Sequence, residues 1–376
     1  MTVVGINAEP MFQRVPTGIG VYTLALCRGL GEIGHGDDTR LFHARHERIP
    51  ASVGALPMER HAFSLNRESL YRSWGEAHRP APQSVCGDLD VVHAPGPAVP
   101  PHGEAALVTT IHDLAPLRFP ERYSAQVRVS LKRGALQAAR DADLIVCPSW
   151  ATAVEVEALL DVDPARLRVV PHGVDLPADD ADPDAVRVLE ARGIRAPYVL
   201  WIGTQEQRKN IHAVLDAFAM LAPEHPDVSL VLHGPHGWLG SEVADGIQRR
   251  GLDGRTVVSE GSLDVPTLVA LYANASVFVL PSLYEGFGLP LLESMACGTP
   301  VITSNQSALP ECVGDAGLLV DPLDHHALAA AVQRVLDDSA LAAELSEAGR
   351  KRAAAFTWAE TARKTWAVYE ELAGST

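Results

Sequence analysis

Residues 281–300 read PSLYEGFGLPLLESMACGTP. The apolar run 276–280 enters this segment as a strand. A loop carrying Glu285, Gly286 and Gly288 follows, and a helix is expected from about Pro290 to Ala296, because proline suits the first helical turn. A second apolar run, 300–303, comes directly after. Strand, glycine-containing loop, helix and strand make the repeating unit of a parallel sheet covered on both faces.

The same alternation extends in both directions. Strands are expected at 198–203, 229–233, 256–259, 276–280, 300–303 and 317–320, with helices near 211–221, 241–250, 265–272, 290–296, 325–336 and 340–355. Toward the N-terminus a second series places strands at 3–7, 40–43, 90–93, 107–112, 144–148 and 167–171, and helices at 20–30, 126–140 and 151–160. Between the series, VDLPADDADPDAVRVLEARGIRAP is rich in Asp, Pro and Ala and reads as a linker with room for a short helix. The expected organisation is therefore α/β: a first Rossmann-like domain over 1–173, a linker over 174–197, and a second Rossmann-like domain over 198–357. A crevice between two such halves, at the carboxyl ends of parallel strands, is the expected ligand site. Residues 44–86 carry many His, Arg and Ser and little periodicity, and read as loops and short helices of the first domain.

Four segments carry chemistry. In the first, Glu285 stands in the loop where the positive end of the helix dipole favours an anion, and Glu293 lies eight residues on, inside the helix. Carboxylates accept hydrogen bonds only, so two of them can hold hydroxyl pairs of a ribose or a hexose. The amides of Phe287, Gly288 and Leu289 are donors at the helix start. The plainer reading is a capped helix with an incidental glutamate. In the second, WIGTQEQRKNI (201–211), Arg208 and Lys209 precede a helix for which Asn210 is the expected N-cap. Two cations beside a helix N-terminus suit a diphosphate, although a lone Arg-Lys is commonly a solvated pair.

In the third, TGIGVY (17–22), Gly18 and Gly20 let backbone approach a phosphate or sugar closely. It is not a full G-x-G-x-x-G, since Thr23 follows, and no ribose-binding acid stands at the expected spacing. In the fourth, TTIHDLAPLRFP (109–120), His112 and Asp113 end a strand, where an imidazole can exchange hydrogen bonds with a sugar hydroxyl.

EGFGLPLLESMACGTPV (285–301) resembles the E-x7-E region of retaining glycosyltransferase family 4, which includes bacterial mannosyl-, glucosyl- and N-acetylglucosaminyltransferases of two-Rossmann (GT-B) architecture. LVALYANASVFVLPSLYEGFG upstream and SNQSALPECVGDAGLLVDPLD downstream are similar to the same family. The resemblance covers nearly the whole chain except about 44–86 and the linker. It implies that Glu293 binds the donor's ribose hydroxyls. It assigns Glu285 and the amides of Phe287, Gly288 and Leu289 to the transferred sugar, and Arg208 and Lys209 to the diphosphate. Thr204 stands where many members carry Arg. Gly18 and Gly20 match a G-G-I-G loop over the donor diphosphate and acceptor, with Thr17 in place of a frequent Gly. His112 would face the donor sugar near its anomeric carbon. A helix at about 358–373 would return to the first domain.

Composition narrows the function classes. The 376 residues carry 31 Lys and Arg against 47 Asp and Glu, a net charge of 31 − 47 = −16. That excludes a general nucleic-acid binder, which needs a basic surface. Five cysteines without a C-x-x-C spacing read as reduced thiols of a cytosolic protein. There is no apolar run of membrane-spanning length and no signal-peptide pattern at the start. The D-x-D strings at 88–90 and 161–163 read as local caps, and His325-His326 is not a metal pair, so no metal is expected. The segment 118–133 carries five basic residues and is the one candidate for a peripheral contact at the inner membrane face; a solvated helix face is the simpler account.

The expected activity is a retaining glycosyltransferase that moves a hexose, mannose from GDP-mannose in the first instance, to a sugar or lipid-linked acceptor of polysaccharide assembly. Arg208 and Lys209 would stabilise the leaving diphosphate. The family mechanism implied is front-face attack. The alternatives are a nucleotide-sugar epimerase or sugar phosphorylase on the same plan, and a non-catalytic sugar-nucleotide binding protein.

Overall fold

The computed structural model describes residues 2–13, 17–123, 125–175, 182–237 and 239–374. It divides into two compact units, Met1–Gly173 with Thr357–Thr376, and Val174–Phe356.

The first unit is built on β1 (Val4–Asn7), β2 (Thr39–His43), β3 (Glu59–Ala62), β4 (Val91–Ala94), β5 (Ala106–Thr110), β6 (Leu144–Cys147) and β7 (Leu167–Val169). Their order is β3-β2-β1-β4-β5-β6-β7, with every pairing parallel. β1, β4 and β6 are buried along their whole length, which is why they read as continuous apolar runs. β3 is the strand that periodicity missed. Its residues ERHA are polar and mostly exposed at the sheet edge, so they carry no apolar signal. Around it, 44–86 also holds a helix, Arg67–Ala77, capped by Asn66 and anchored by buried Leu70 and Trp74.

The helix Trp358–Ala373 belongs to this first unit. Thr357 caps it by accepting the Glu360 N–H at 3.1 Å. Its buried face, Trp358, Ala362, Trp366 and Tyr369, lies against the helix Gly18–Glu32. The Tyr369 hydroxyl bonds His93 Nδ1 of β4 at 2.7 Å, so the last helix is tied to the centre of the sheet.

The second unit contains β8 (Tyr198–Ile202), β9 (Ser229–His233), β10 (Thr256–Ser259), β11 (Val277–Leu280), β12 (Val301–Ser304) and β13 (Leu318–Val320). Their order, β10-β9-β8-β11-β12-β13, is the doubly wound 3-2-1-4-5-6 arrangement, all parallel. Alternate side chains of β11 enter opposite layers. Val277 and Val279 pack with the helices Ile211–Leu221 and His325–Asp337, and Phe278 and Leu280 with Val265–Ala273 and Leu289–Ala296.

Residues 174–197, read as a linker, belong to the second unit, apart from 176–181, which lie outside the described residues. Val174 N–H bonds Phe356 O at 2.9 Å. The helix Pro183–Ala191, capped by Asp182, buries Ala185 and Leu189 against Val265–Ala273. It is the short helix for which this stretch had room.

All five cysteines are free and buried. Burial pushes the Cys27, Cys147 and Cys312 thiols up to about 12. Among the described residues, no helix is long and apolar enough to cross a membrane.

Candidate active site

In a doubly wound sheet, ligands sit beyond the carboxyl ends of the strands, where the strand order reverses. In the second unit that point lies between β8 and β11. The 3-10 turn Gln207–Lys209 follows β8, and the loop 281–288 follows β11. The two are laced together by the Leu283 N–H on Arg208 O at 2.8 Å.

This lacing brings Arg208, Lys209 and Glu285 into contact. Lys209 Nζ lies 2.5 Å from Glu285 Oε1, and Arg208 Nη1 lies 2.9 Å from Oε2. The Ser282 hydroxyl donates to Oε1 at 2.8 Å. Lys209 and Glu285 are each only 8% exposed. Burial alone would lift the Glu285 carboxyl; the Lys209 and Arg208 charges outweigh it and hold the group down at about 2. Glu285 is thus a permanent carboxylate with three donors on it.

The basic pair is not a bare anion site. Arg208 Nη2 also reaches Glu206 Oε1 at 2.8 Å. Two cations and two carboxylates sum to 2 − 2 = 0. A diphosphate binding here would take over donors that Glu285 and Glu206 now hold. Glu206 and Ser282 were not singled out in the sequence, although Ser282 lies inside the quoted loop.

Asn210 takes a different role from the expected N-cap. Its φ of 54° puts it in the left-handed region, and its side chain makes no cap bond to the helix Ile211–Leu221. Instead Nδ2 donates to Pro281 O at 3.0 Å and Pro322 O at 2.7 Å, fastening the loops after β11 and β13 to the basic turn. From the loop after β12, Ser307 Oγ donates to Glu285 O at 2.5 Å and accepts the Glu285 N–H at 3.3 Å. Ser307 itself has φ 58°. A left-handed serine is costly unless the surroundings hold it, and here its hydroxyl orients Glu285.

Gly288 precedes the helix Leu289–Ala296 with φ 121°, a conformation open essentially to glycine alone. Leu289 opens the helix and Pro290 stands second. Phe287 is buried beside Phe356, at 6.0 Å between ring centroids. The Gly288 and Leu289 amides stand in the first turn, where helix geometry supplies no partner. Glu293, one turn in, accepts the Tyr272 hydroxyl on Oε2 at 2.6 Å. Burial raises its carboxyl above the ordinary value, and the Tyr272 bond opposes this. Tyr272 carried no signal in the sequence beyond its place in an apolar helix.

The remaining candidates lie in the first unit. Thr17 caps the helix Gly18–Glu32 by accepting the Gly20 N–H at 3.4 Å. A side chain on Gly20 would meet Pro10 O at 2.7 Å, so this glycine serves packing against its own chain; one on Gly18 would meet nothing within 4 Å. Of the pair, Gly18 is the one with open space before it. His112 follows β5. Its Nε2 lies 2.9 Å from Pro95 O and its Nδ1 3.2 Å from His172 Nε2. Asp113 accepts the Ala115 N–H at 2.9 Å and so caps the next turn. Tyr22, His93 and His172 line the same region and were not anticipated, because each sits in an apolar context that reads as core.

Asp163 caps the turn Pro164–Arg166, and Asp90 takes the Val3 N–H at 2.7 Å. His325 pairs with Asp216 at 3.1 Å. Among the described residues, no group of three or more His, Cys, Asp or Glu is placed to hold a metal ion. In the basic segment 118–133, Ser124 lies outside the described residues. Arg118 pairs with Glu155 at 3.3 Å and Arg133 donates to Gly75 O, so these two cations bond within the unit.

Two Rossmann-like α/β units, with charged side chains gathered at the strand-order reversal of the second, define a class of enzyme built on paired nucleotide-binding folds. Residues 16–178 match the Glycosyltransferase Family 4 model, and residues 190–352 match Glycosyl transferases group 1. The chain is 32% identical to O-antigen chain mannosyltransferase B of Escherichia coli, over 95% of this chain and 96% of that one. It is 30% identical to the MMP alpha-(1->4)-mannosyltransferase of Mycolicibacterium hassiacum, over 94% of each. Sucrose-phosphate synthase from Thermosynechococcus elongatus superimposes over the full length of both chains with a TM-score of 0.77 at 23% identity, a likeness of fold. The chain belongs to glycosyltransferase family 4 and is mannosyltransferase-like. It is a glycosyltransferase.

Proposed function

We propose that the protein is a retaining mannosyltransferase that takes its hexose from a nucleotide diphosphate sugar, GDP-mannose first, and passes it to a sugar or lipid-linked acceptor. The observation that carries this reading is the Glu285 carboxylate gripping Lys209 and Arg208 at the carboxyl ends of β8 and β11. Arg208 and Lys209 would bind the diphosphate and stabilise the charge that grows on it as the sugar leaves. Glu285, released in part from Lys209, and the amides of Phe287, Gly288 and Leu289 would hold the hexose. Glu293 would accept the ribose hydroxyls. Gly18 and the helix start behind it would approach the phosphates, with Gly20 securing that turn, and His112 would meet the sugar.

Retention without a covalent intermediate fits the electrostatics. Glu285 is saturated by three donors and held near a pKa of about 2, which makes it a poor nucleophile and no general acid. Front-face attack, with a leaving-phosphate oxygen accepting the acceptor's proton, needs no further base. On this reading the reaction takes place in the cytoplasm and needs no metal ion.

Two relatives of mannosyltransferase name, aligned over nearly the whole chain, favour mannose. The test is incubation of the purified protein with GDP- and UDP-hexoses, with and without mannose-terminated acceptors. Products are followed by mass spectrometry and anomeric configuration by NMR. An α-linked mannoside from GDP-mannose is expected. An isomerised donor without acceptor, or binding without turnover, would overturn the proposal.

A further inference from the structure

His112, proposed above to meet the sugar, is paired in the first unit with a second imidazole, His172, that has no role so far. His112 follows β5 and His172 follows β7; both are enclosed by Tyr22, whose ring centroid is 4.7 Å from each, and Trp358 stacks on His172 at 5.9 Å. Pro95 O is an acceptor, so His112 Nε2, 2.9 Å away, carries a proton. A neutral His112 then has a bare Nδ1, and the group 3.2 Å from it, His172 Nε2, must be the donor. The opposite assignment requires an imidazolium in this enclosure. The titratable groups facing His112 are His172, Tyr22, His93 and its neighbour Asp113; burial depresses both histidines of the pair, against a smaller opposing effect of the Pro95 bond on His112.

We infer that His172 is a positioning residue for His112: Pro95 O already selects the Nε2 proton, and the His172 Nε2–H closes Nδ1, keeping the ring neutral and leaving Nε2–H as the one hydrogen bond His112 can give. Resting on the proposed glycosyl transfer, this makes His112 a donor to a sugar hydroxyl, in competition with Pro95 O, and not a general base. Trp358 packs against His172, so the first residue of the terminal helix backs the same pair.

The test uses the full-length protein labelled with 15N-histidine, as wild type, His172→Gln and His172→Ala, with His112→Asn to assign the signal. In the wild type, His112 should show a bare Nδ1 and a protonated Nε2 at every pH from about 5 to 8. In His172→Ala, Pro95 O still selects Nε2–H, but the uncovered Nδ1 is open to a proton, so the ring should titrate within that range. With a confirmed donor, kcat should fall about tenfold, the equivalent of one lost hydrogen bond, with donor KM nearly unchanged. His172→Gln, which keeps an N–H, should recover most of it. A protonated Nδ1 in the wild type, or a ring in His172→Ala that still takes up no proton at Nδ1 between about pH 5 and 8, overturns the inference. If His172→Ala does not fold, the wild-type and His172→Gln spectra decide alone. Because the spectra need no turnover, absence of transfer with intact tautomer behaviour would sink the functional reading and leave this one standing.

Discussion

Lys209 and Glu285 form a buried ion pair, Nζ to Oε1 at 2.5 Å, that joins the turn after β8 to the loop after β11. Removing Glu285 leaves the buried Lys209 ammonium without its carboxylate, which typically costs about 3–5 kcal/mol, whereas removing Lys209 leaves Glu285 on Arg208 and Ser282 and costs less. Lys209→Ala and Glu285→Ala should each also lower turnover at least ~100-fold, the scale of a lost transition-state charge contact. The double variant should be less destabilised than the sum of the singles. Denaturant unfolding and initial-rate kinetics check this; additive losses would mean the pair does not act as a unit.

Acid should weaken the protein through the same residue. The Glu285 carboxyl sits at about 2 when folded, below its ordinary value of 4.5. A depressed carboxylate pKa contributes stability that is complete above the unfolded value and fades as pH falls from 4.5 toward about 2. Glu285→Gln should be less stable at neutral pH and should lack this component of the acid slope. Thermal melts between pH 2 and pH 7 would reveal it; parallel wild-type and variant profiles would count against the assignment.

Tyr272 and Glu293 allow a test on donor affinity. Tyr272→Phe removes a 2.6 Å bond to a carboxyl that burial already raises. That carboxyl should rise further and be protonated at a higher pH, and a protonated Glu293 accepts ribose hydroxyls less well. Donor KM should therefore rise more at pH 5 than at pH 8, with stability reduced by about 1–2 kcal/mol. A KM change independent of pH would separate Glu293 from the ribose.

The two glycines of the first helix should respond in opposite ways. Gly20→Ala drives a Cβ to 2.7 Å from Pro10 O and should lower the melting temperature, at a cost of about 1–3 kcal/mol. Gly18→Ala meets open space in a helical turn and should stabilise by up to about 1 kcal/mol while reducing transfer. Unchanged transfer in Gly18→Ala would remove this turn from the donor site.

The fold was legible wherever a strand is buried on both faces. β4, β6, β8 and β11 announce themselves as apolar runs, and Gly288 and Pro290 mark where the helix Leu289–Ala296 begins. β3 was not legible, because an edge strand of polar residues has no pattern to read. The helix Pro183–Ala191 was legible only as a short helix in a linker, because an acidic, proline-rich stretch leads into it; that it packs into the second unit was not.

The charged residues of the site could be named from local motifs, since Arg208, Lys209, Glu285 and Glu293 lie in short segments that punctuate the chain. Their partners could not. Glu285 meets Lys209 only because β8 and β11, 79 residues apart by first position (277 − 198), are neighbours at the point where the strand order reverses. Asn210 is a clamp between loops, Ser307 orients Glu285, and Tyr272 holds Glu293, all through contacts that sequence spacing does not encode. The sequence alone determined which residue types carry charge and which runs must be buried, because hydrophobic patterning is local. The tertiary structure decided that the basic pair is already neutralised and that His112 is held by His172, because both follow from which strands lie side by side.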